Sequence, residues 1–212
     1  MNVEPHSKAR SLLQRLKRCF HSKHVRDDKR TRVKTGRLLN LKGGSGRREL
    51  FGLGDEFIAI HRDKHGKILD YYDSRFHPHK SIVNVGLPLA ASLLGGLGAA
   101  AFTYIGIGTG TNGVTTGDTK LQTQISRLNC TPTRVMTTVA NDTLQQDIVF
   151  SHAADAGLTG ISVAVTEVGV FDASGTTDNA MLWRQVFGAI TVNWDNGDSL
   201  EMTTKTQMKQ GS

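Results

Sequence analysis

The chain is poor in several things that other classes of protein need. It has two cysteines in 212 residues, Cys19 and Cys130, too few for a disulfide scaffold or a cysteine-rich zinc module. Its most apolar stretch, residues 85–101, is broken by Pro88 and by Gly95, Gly96 and Gly98, so it does not read as a transmembrane helix. Near the start, Leu12 and Leu13 sit among charges with no apolar run after them, which argues against a secretory signal. Aromatic residues make up 6% of the chain, and its basic residues lack the interleaved aromatics of a base-stacking platform. No G-x-S-x-G elbow, paired-carboxylate motif or H-E-x-x-H occurs. These gaps disfavour an enzyme, a cell-wall hydrolase included, and the abundance of Gly, Thr and Asn suits a building part better.

What is present is a lopsided charge. The net +7 divides into +11 over residues 1–50, with 15 Lys+Arg against 4 Asp+Glu, and −4 over residues 51–212, with 11 against 15. Leu12, Leu13, Leu16 and Phe20 recur at helical spacing among Arg10, Arg15, Lys17 and Arg18, which predicts a short basic amphipathic helix. From residue 23 to 48 charge dominates and Gly43, Gly44, Ser45 and Gly46 follow one another. Such a segment buries too little to offset its ordering entropy, so residues 1–50 read as an arm that orders only on a partner. Arg10, Arg15, Lys17, Arg18, Arg26, Arg30, Arg32, Arg47 and Arg48 are its candidate partner-binding residues. An acidic protein surface, nucleic acid or an anionic membrane would each attract it. Contact with nucleic acid would run through phosphates, without reading sequence.

Past residue 50 the period changes to two. Phe57, Ala59 and His61 alternate with Ile58, Ile60 and Arg62, and residues 63–66 supply a turn ending on glycine. A second strand over 67–72 completes a hairpin. Residues 84–94 suggest a helix with Asn84 as cap, or a start near Leu87 that would place Pro88 in the first turn; Leu87, Ala90, Ala91 and Leu94 would share a face. Short strands follow at 104–109, 134–139 and 144–150. Another covers 161–170, with a phase slip at Thr166 and Glu167 that predicts a bulge. Two more, at 182–187 and 189–194, lead to a tight turn at 195–198. In the last strand Leu200, Met202, Thr204, Thr206 and Met208 oppose Glu201, Lys205, Gln207 and Lys209. A second short helix is expected from Asp118 through Leu121 and Ile125. The expected fold is mainly β: an antiparallel sandwich or barrel-like body over 51–212 with one or two short helices, preceded by the basic arm.

Several residues invite chemical readings. Gly106, Gly108, Gly110 and Gly113 could suggest a nucleotide loop, but no helix or Lys-Ser/Thr follows them, so close packing of a strand end is expected instead. His61, His65, His77 and His79 lack a convincing set of metal ligands, and Cys130 lacks a spaced histidine. Asp195 and Asp198 look like turn residues, and Glu167 like a bulge residue. No metal and no cofactor is expected.

The order of the pieces carries a resemblance. RDKHGK at 62–67 precedes NVGLPLAASLL at 84–94, YIGIGTGTNGVTTGDTKLQTQISR at 104–127, TEVGVFDASG at 166–175, MLWRQVF at 181–187 and GDSLEMTTKTQMK at 197–209. This succession of N-x-G, IGTGT, D-T-x-L and E-x-G-x-F resembles small tailed-bacteriophage virion proteins, and the attachment domain of phage tail-collar fibre proteins, over residues 57–209. The resemblance implies a non-enzymatic virion part that forms homo-oligomers and docks on tail, portal-proximal or capsid subunits, with no membrane partner. The arm lies outside the pattern, and the chain stops where a fibre would continue. A tail, collar or baseplate adaptor therefore fits better than a whole fibre, with capsid decoration and a nucleic-acid-binding arm as alternatives.

Overall fold

The stripe at 57–61 lies within a twelve-residue strand, β1 (Phe51–Arg62), that turns back as β2 (Ile68–Asp73). Asp63 shapes the turn by accepting the N–H groups of His65 and Lys67, each at 2.9 Å, and Gly66 supplies the left-handed φ of 81° that favours glycine. The computed structural model describes residues 51–76, 82–175 and 180–210. Its remaining elements are α1 (Gly86–Leu94), β3 (Tyr104–Gly108), β4 (Gln124–Asn129), β5 (Thr133–Val135), β6 (Thr143–Ser151), β7 (Val163–Phe171), β8 (Met181–Val192) and β9 (Ser199–Gln210).

Two antiparallel sheets result, ordered β2-β1-β9-β6-β5 and β4-β3-β7-β8. They pack as a sandwich because period-two strands each offer one apolar face. Phe57, Ala59, Phe150, Leu200 and Met202 from the first sheet meet Ile105, Ile107, Val165, Val168, Val170 and Trp183 from the second. Phe57 and Tyr72 stack, and Phe187 tilts against both, with ring centroids 5.1–5.3 Å apart. The inward threonines of β9 are compatible with this core because each is bonded. Thr206 accepts from the Trp183 indole at 3.1 Å, and Thr204 donates to Gln146 at 3.4 Å.

The hairpin and the β9 stripe stand as expected, and so does the slip in β7. Val165 pairs with Ile190 but Glu167 with Val186, so Thr166 faces an excess of residues on β8. Other expectations are corrected. Residues 182–194 do not form two strands: β8 runs unbroken through Gly188, and its surplus residues are taken up opposite Thr166. The strand expected at 134–139 is only β5, because the N–H groups of Thr137, Thr138 and Val139 turn onto the Asp142 carboxylate. Ile161 precedes β7 and is exposed.

Helix α1 starts at Gly86, which does leave Pro88 in its first turn, but Asn84 does not cap it. The Asn84 N–H instead donates to the carbonyl of Thr116 at 2.7 Å. Its inner face is Gly86, Leu89 and Ala90; of the expected row only Ala90 packs inward, while Leu87, Ala91 and Leu94 are exposed, because Gly86 lies directly on the β8 backbone. A Cβ at that position would stand 2.7 Å from the Leu182 Cα, a contact only a shift of the helix could relieve. The helix expected from Asp118 to Ile125 is absent. Residues 109–123 form a long loop, and Ile125 already belongs to β4.

Candidate functional site

The loop 109–123 is held on the second sheet by a buried ion pair and its neighbours. Glu167, on the β7 irregularity, is fully buried. It accepts the N–H groups of Gly110 (3.1 Å), Gln122 (3.0 Å) and Thr123 (2.8 Å), and a charge-assisted bond from Arg184 Nε at 2.7 Å. This explains the missing helix. The amides of residues 122 and 123 point at Glu167, so they cannot donate along a helix begun at Asp118.

Arg184, on β8, is also fully buried and uses its other nitrogens on the same loop. Nη1 donates to Asp118 Oδ2 at 2.8 Å, and Nη2 to the carbonyl of Asn112 at 3.1 Å. Thr166 Oγ1 closes the ring by donating to the Gly110 carbonyl at 2.9 Å. The glycines make room for this network. A Cβ on Gly108 or Gly110 would run into the Glu167 carboxylate, and one on Gly106 would come within 2.8 Å of the Phe171 ring. Arg127 caps that ring with its guanidinium 3.5 Å from the centroid. Close packing at a strand end was the expected role of Gly106, Gly108 and Gly110. Gly113, by contrast, lies against nothing within reach of a Cβ.

Every polar group in this network is matched, so it serves as a clasp. Burial pushes the Asp118 carboxyl up, but the hydroxyl and N–H of Thr115 and the Arg184 guanidinium outweigh burial and hold it below the usual carboxylate range. Asp73 is lowered by Arg75 against the effect of burial. Burial also pushes Asp142 up, and Gln207 with three backbone N–H groups holds it well below the usual range. A carboxyl with a depressed folded pKa adds stability that is complete above its unfolded pKa, about 3.9. That stability is lost as pH falls through the folded value. The urea midpoint should therefore fall steadily as pH drops below about 4. Asp118→Asn should flatten that slope; an unchanged slope would show that Asp118 is not part of it.

The other candidates of the sequence resolve differently. His61 is not a ligand-like histidine: it is buried with Nε2 3.0 Å from Asp198 Oδ2, so Asp198 ties the β8–β9 corner to β1 as well as shaping its turn. Asp195 accepts from the Gly160 N–H at 2.8 Å. Cys130 is a buried thiol that donates to the Thr103 carbonyl, and burial pushes its pKa up, which disfavours the reactive thiolate. His65 sits in the exposed hairpin turn. No group of three metal-ligating side chains comes together among the described residues, nor does any helix there have the length and apolarity to cross a membrane. His77, His79, Cys19 and the arm residues Arg10, Arg15, Lys17, Arg18, Arg26, Arg30, Arg32, Arg47 and Arg48 lie outside the described residues.

The body's conspicuous open feature is apolar. Helix α1, GLPLAASLL, carries no charge, and Leu87 and Leu94 are exposed on it. Leu97 just beyond is 77% exposed. Beside the helix lies a groove of about 310 Å³ lined by Leu53, Leu93, Leu94, Leu144, Leu182 and Met208, with Arg134 and Asp142 at its edge. Sequence reasoning passed over the groove because its walls come from six separate elements. Compared with family models, curated proteins and solved structures, the chain matches none.

Proposed function

We propose that the chain is a non-enzymatic structural component of a tailed-bacteriophage virion, a tail, collar or baseplate adaptor or fibre-attachment protein. One observation carries this reading: four of the motifs on which the resemblance rests meet in a single clasp, and a fifth bonds the same loop. N-x-G contributes the Asn84 amide bond to Thr116, IGTGT contributes Gly108 and Gly110, D-T-x-L contributes Asp118, E-x-G-x-F contributes Glu167, and MLWRQVF contributes Arg184. In this chain these motifs act together to pin one loop to one sheet, the kind of internal use expected of a structural part. The body is a scaffold whose buried charges are used internally, and its uncharged helix is left for a neighbour.

Localisation in the virion, assembled in the host bacterial cytoplasm, follows from this role. The test is composition: purified particles should contain the chain at a fixed copy number set by the symmetry of the part it joins. Particles free of it, or carrying it at a level that varies between preparations, would refute the assignment. The +11 arm also favours a second reading, a phosphate-binding arm. That reading requires an affinity for duplex DNA that falls steeply with added salt.

A further inference from the structure

We propose that the groove beside α1 receives residues 10–20 of a second copy of the chain, with Leu12, Leu13, Leu16 and Phe20 entering it. The inference rests on the oligomeric virion part proposed above and names the contact that builds it. A helix apolar on all sides is a buried helix, whereas one at a protein surface carries charge on its outer face. Helix α1 has no charged residue, yet Leu94 is 68% and Leu87 51% exposed, and the groove wall continues through Leu93 and Met208.

The occupant is argued from the chain that precedes the body. Fifty residues come before Phe51, and Leu53, in the groove wall, follows two residues later, so the arm starts at the groove's edge. Within those fifty, Leu12, Leu13, Leu16 and Phe20 form the apolar set at helical spacing, complementary in kind to the leucines of the groove. Their flanking Arg10, Arg15, Lys17 and Arg18 would face a body whose balance is −4.

Thirty residues, 21 to 50, join that set to the body, and a chain of thirty residues has an end-to-end distance of about 30 Å. That reach is about the diameter of a small domain, enough to cross to a neighbour. A second copy is the occupant because the groove is only part of the exposed apolar surface around α1. Leu87 and Leu97 lie outside the groove, and covering them requires another body beside the first.

The test uses the full chain, with self-association followed by sedimentation velocity over a concentration series. Leu94→Glu and Leu16→Glu should each weaken association roughly tenfold or more, as loss of a buried anchor does. The double variant should be no weaker than either single one. Because Leu94 is largely exposed, the thermal midpoint measured at a concentration where both proteins are monomeric should stay at the wild-type value and report that the body still folds. A photo-crosslinker in place of Met208, in a mixture of isotopically heavy and light protein, should join heavy chains to light ones within residues 10–20. Association that survives Leu16→Glu but not Leu94→Glu would overturn the proposal in favour of body-to-body packing. Same-label crosslinks alone would overturn it in favour of each chain covering its own groove, and indifference to both substitutions would remove it altogether. A chain that self-associates by this route but is missing from particles would refute the virion role and leave this contact standing.

Discussion

Glu167→Ala should destabilise the body by about 3–5 kcal/mol in a urea titration, the range for breaking a buried ion pair from one side. The substitution leaves a fully buried arginine without its main counter-ion, and it strips the acceptor from the amides of Gly110, Gln122 and Thr123. An unpaired buried donor costs about 1–3 kcal/mol, so the estimate is reached even if water enters beside Arg184. Against a total stability of about 5–15 kcal/mol, such a loss would leave the sandwich marginal at best.

Glu167→Leu with Arg184→Leu separates the two contributions. Removing both charges should recover the part due to the orphaned guanidinium, since an apolar pair of similar volume can replace a buried salt bridge. The three amides remain without an acceptor, so recovery should be partial. Hydrogen exchange should then show the 109–123 loop open while β1 and β9 stay protected. A loss below about 1 kcal/mol for Glu167→Ala would mean that the clasp does not hold the loop.

The parts of this architecture that were legible in sequence are those fixed by local pattern. The alternation at Phe57, Ala59 and His61 with a Gly66 turn has one reading, and the β9 stripe keeps its phase for twelve residues because nothing interrupts its pairing with β1 and β6. The phase slip at Thr166 was visible for the same reason. What failed were segments whose conformation is set by distant partners. Asp118 is a plausible helix cap beside its neighbours, but its carboxylate is taken by Thr115 behind it and by Arg184, 66 residues away, while Glu167 takes the amides a helix would need. Glu167 and Asp198 looked like a bulge residue and a turn residue, and each is that; their buried partners Arg184 and His61 come from the neighbouring strand, 17 and 137 residues away in sequence. The inner face of α1 is decided by Gly86 against Leu182, a contact no helical periodicity encodes.

The second large effect concerns the arm. Residues 1–50 carry +11, while among the described residues the two sheets and the sandwich core are built from Phe51 onward. Deleting them should leave the body's urea midpoint essentially unchanged, because the strands keep their partners. Incorporation into particles should fall by tenfold or more, because a charged arm joined to a placed body acts at high effective concentration and adds avidity that the body lacks alone. Neutralising Arg26, Arg30, Arg32, Arg47 and Arg48 together should reproduce much of that loss and make the remainder less sensitive to salt.

The most direct measurement is the amount of chain recovered in purified particles when residues 51–212 replace the full chain in assembling cells. A folded body that enters particles at no more than a tenth of the full-length level is the expected result, on the avidity argument. Recovery of the truncated chain at the full-length level would contradict the division between a body that gives shape and an arm that gives hold.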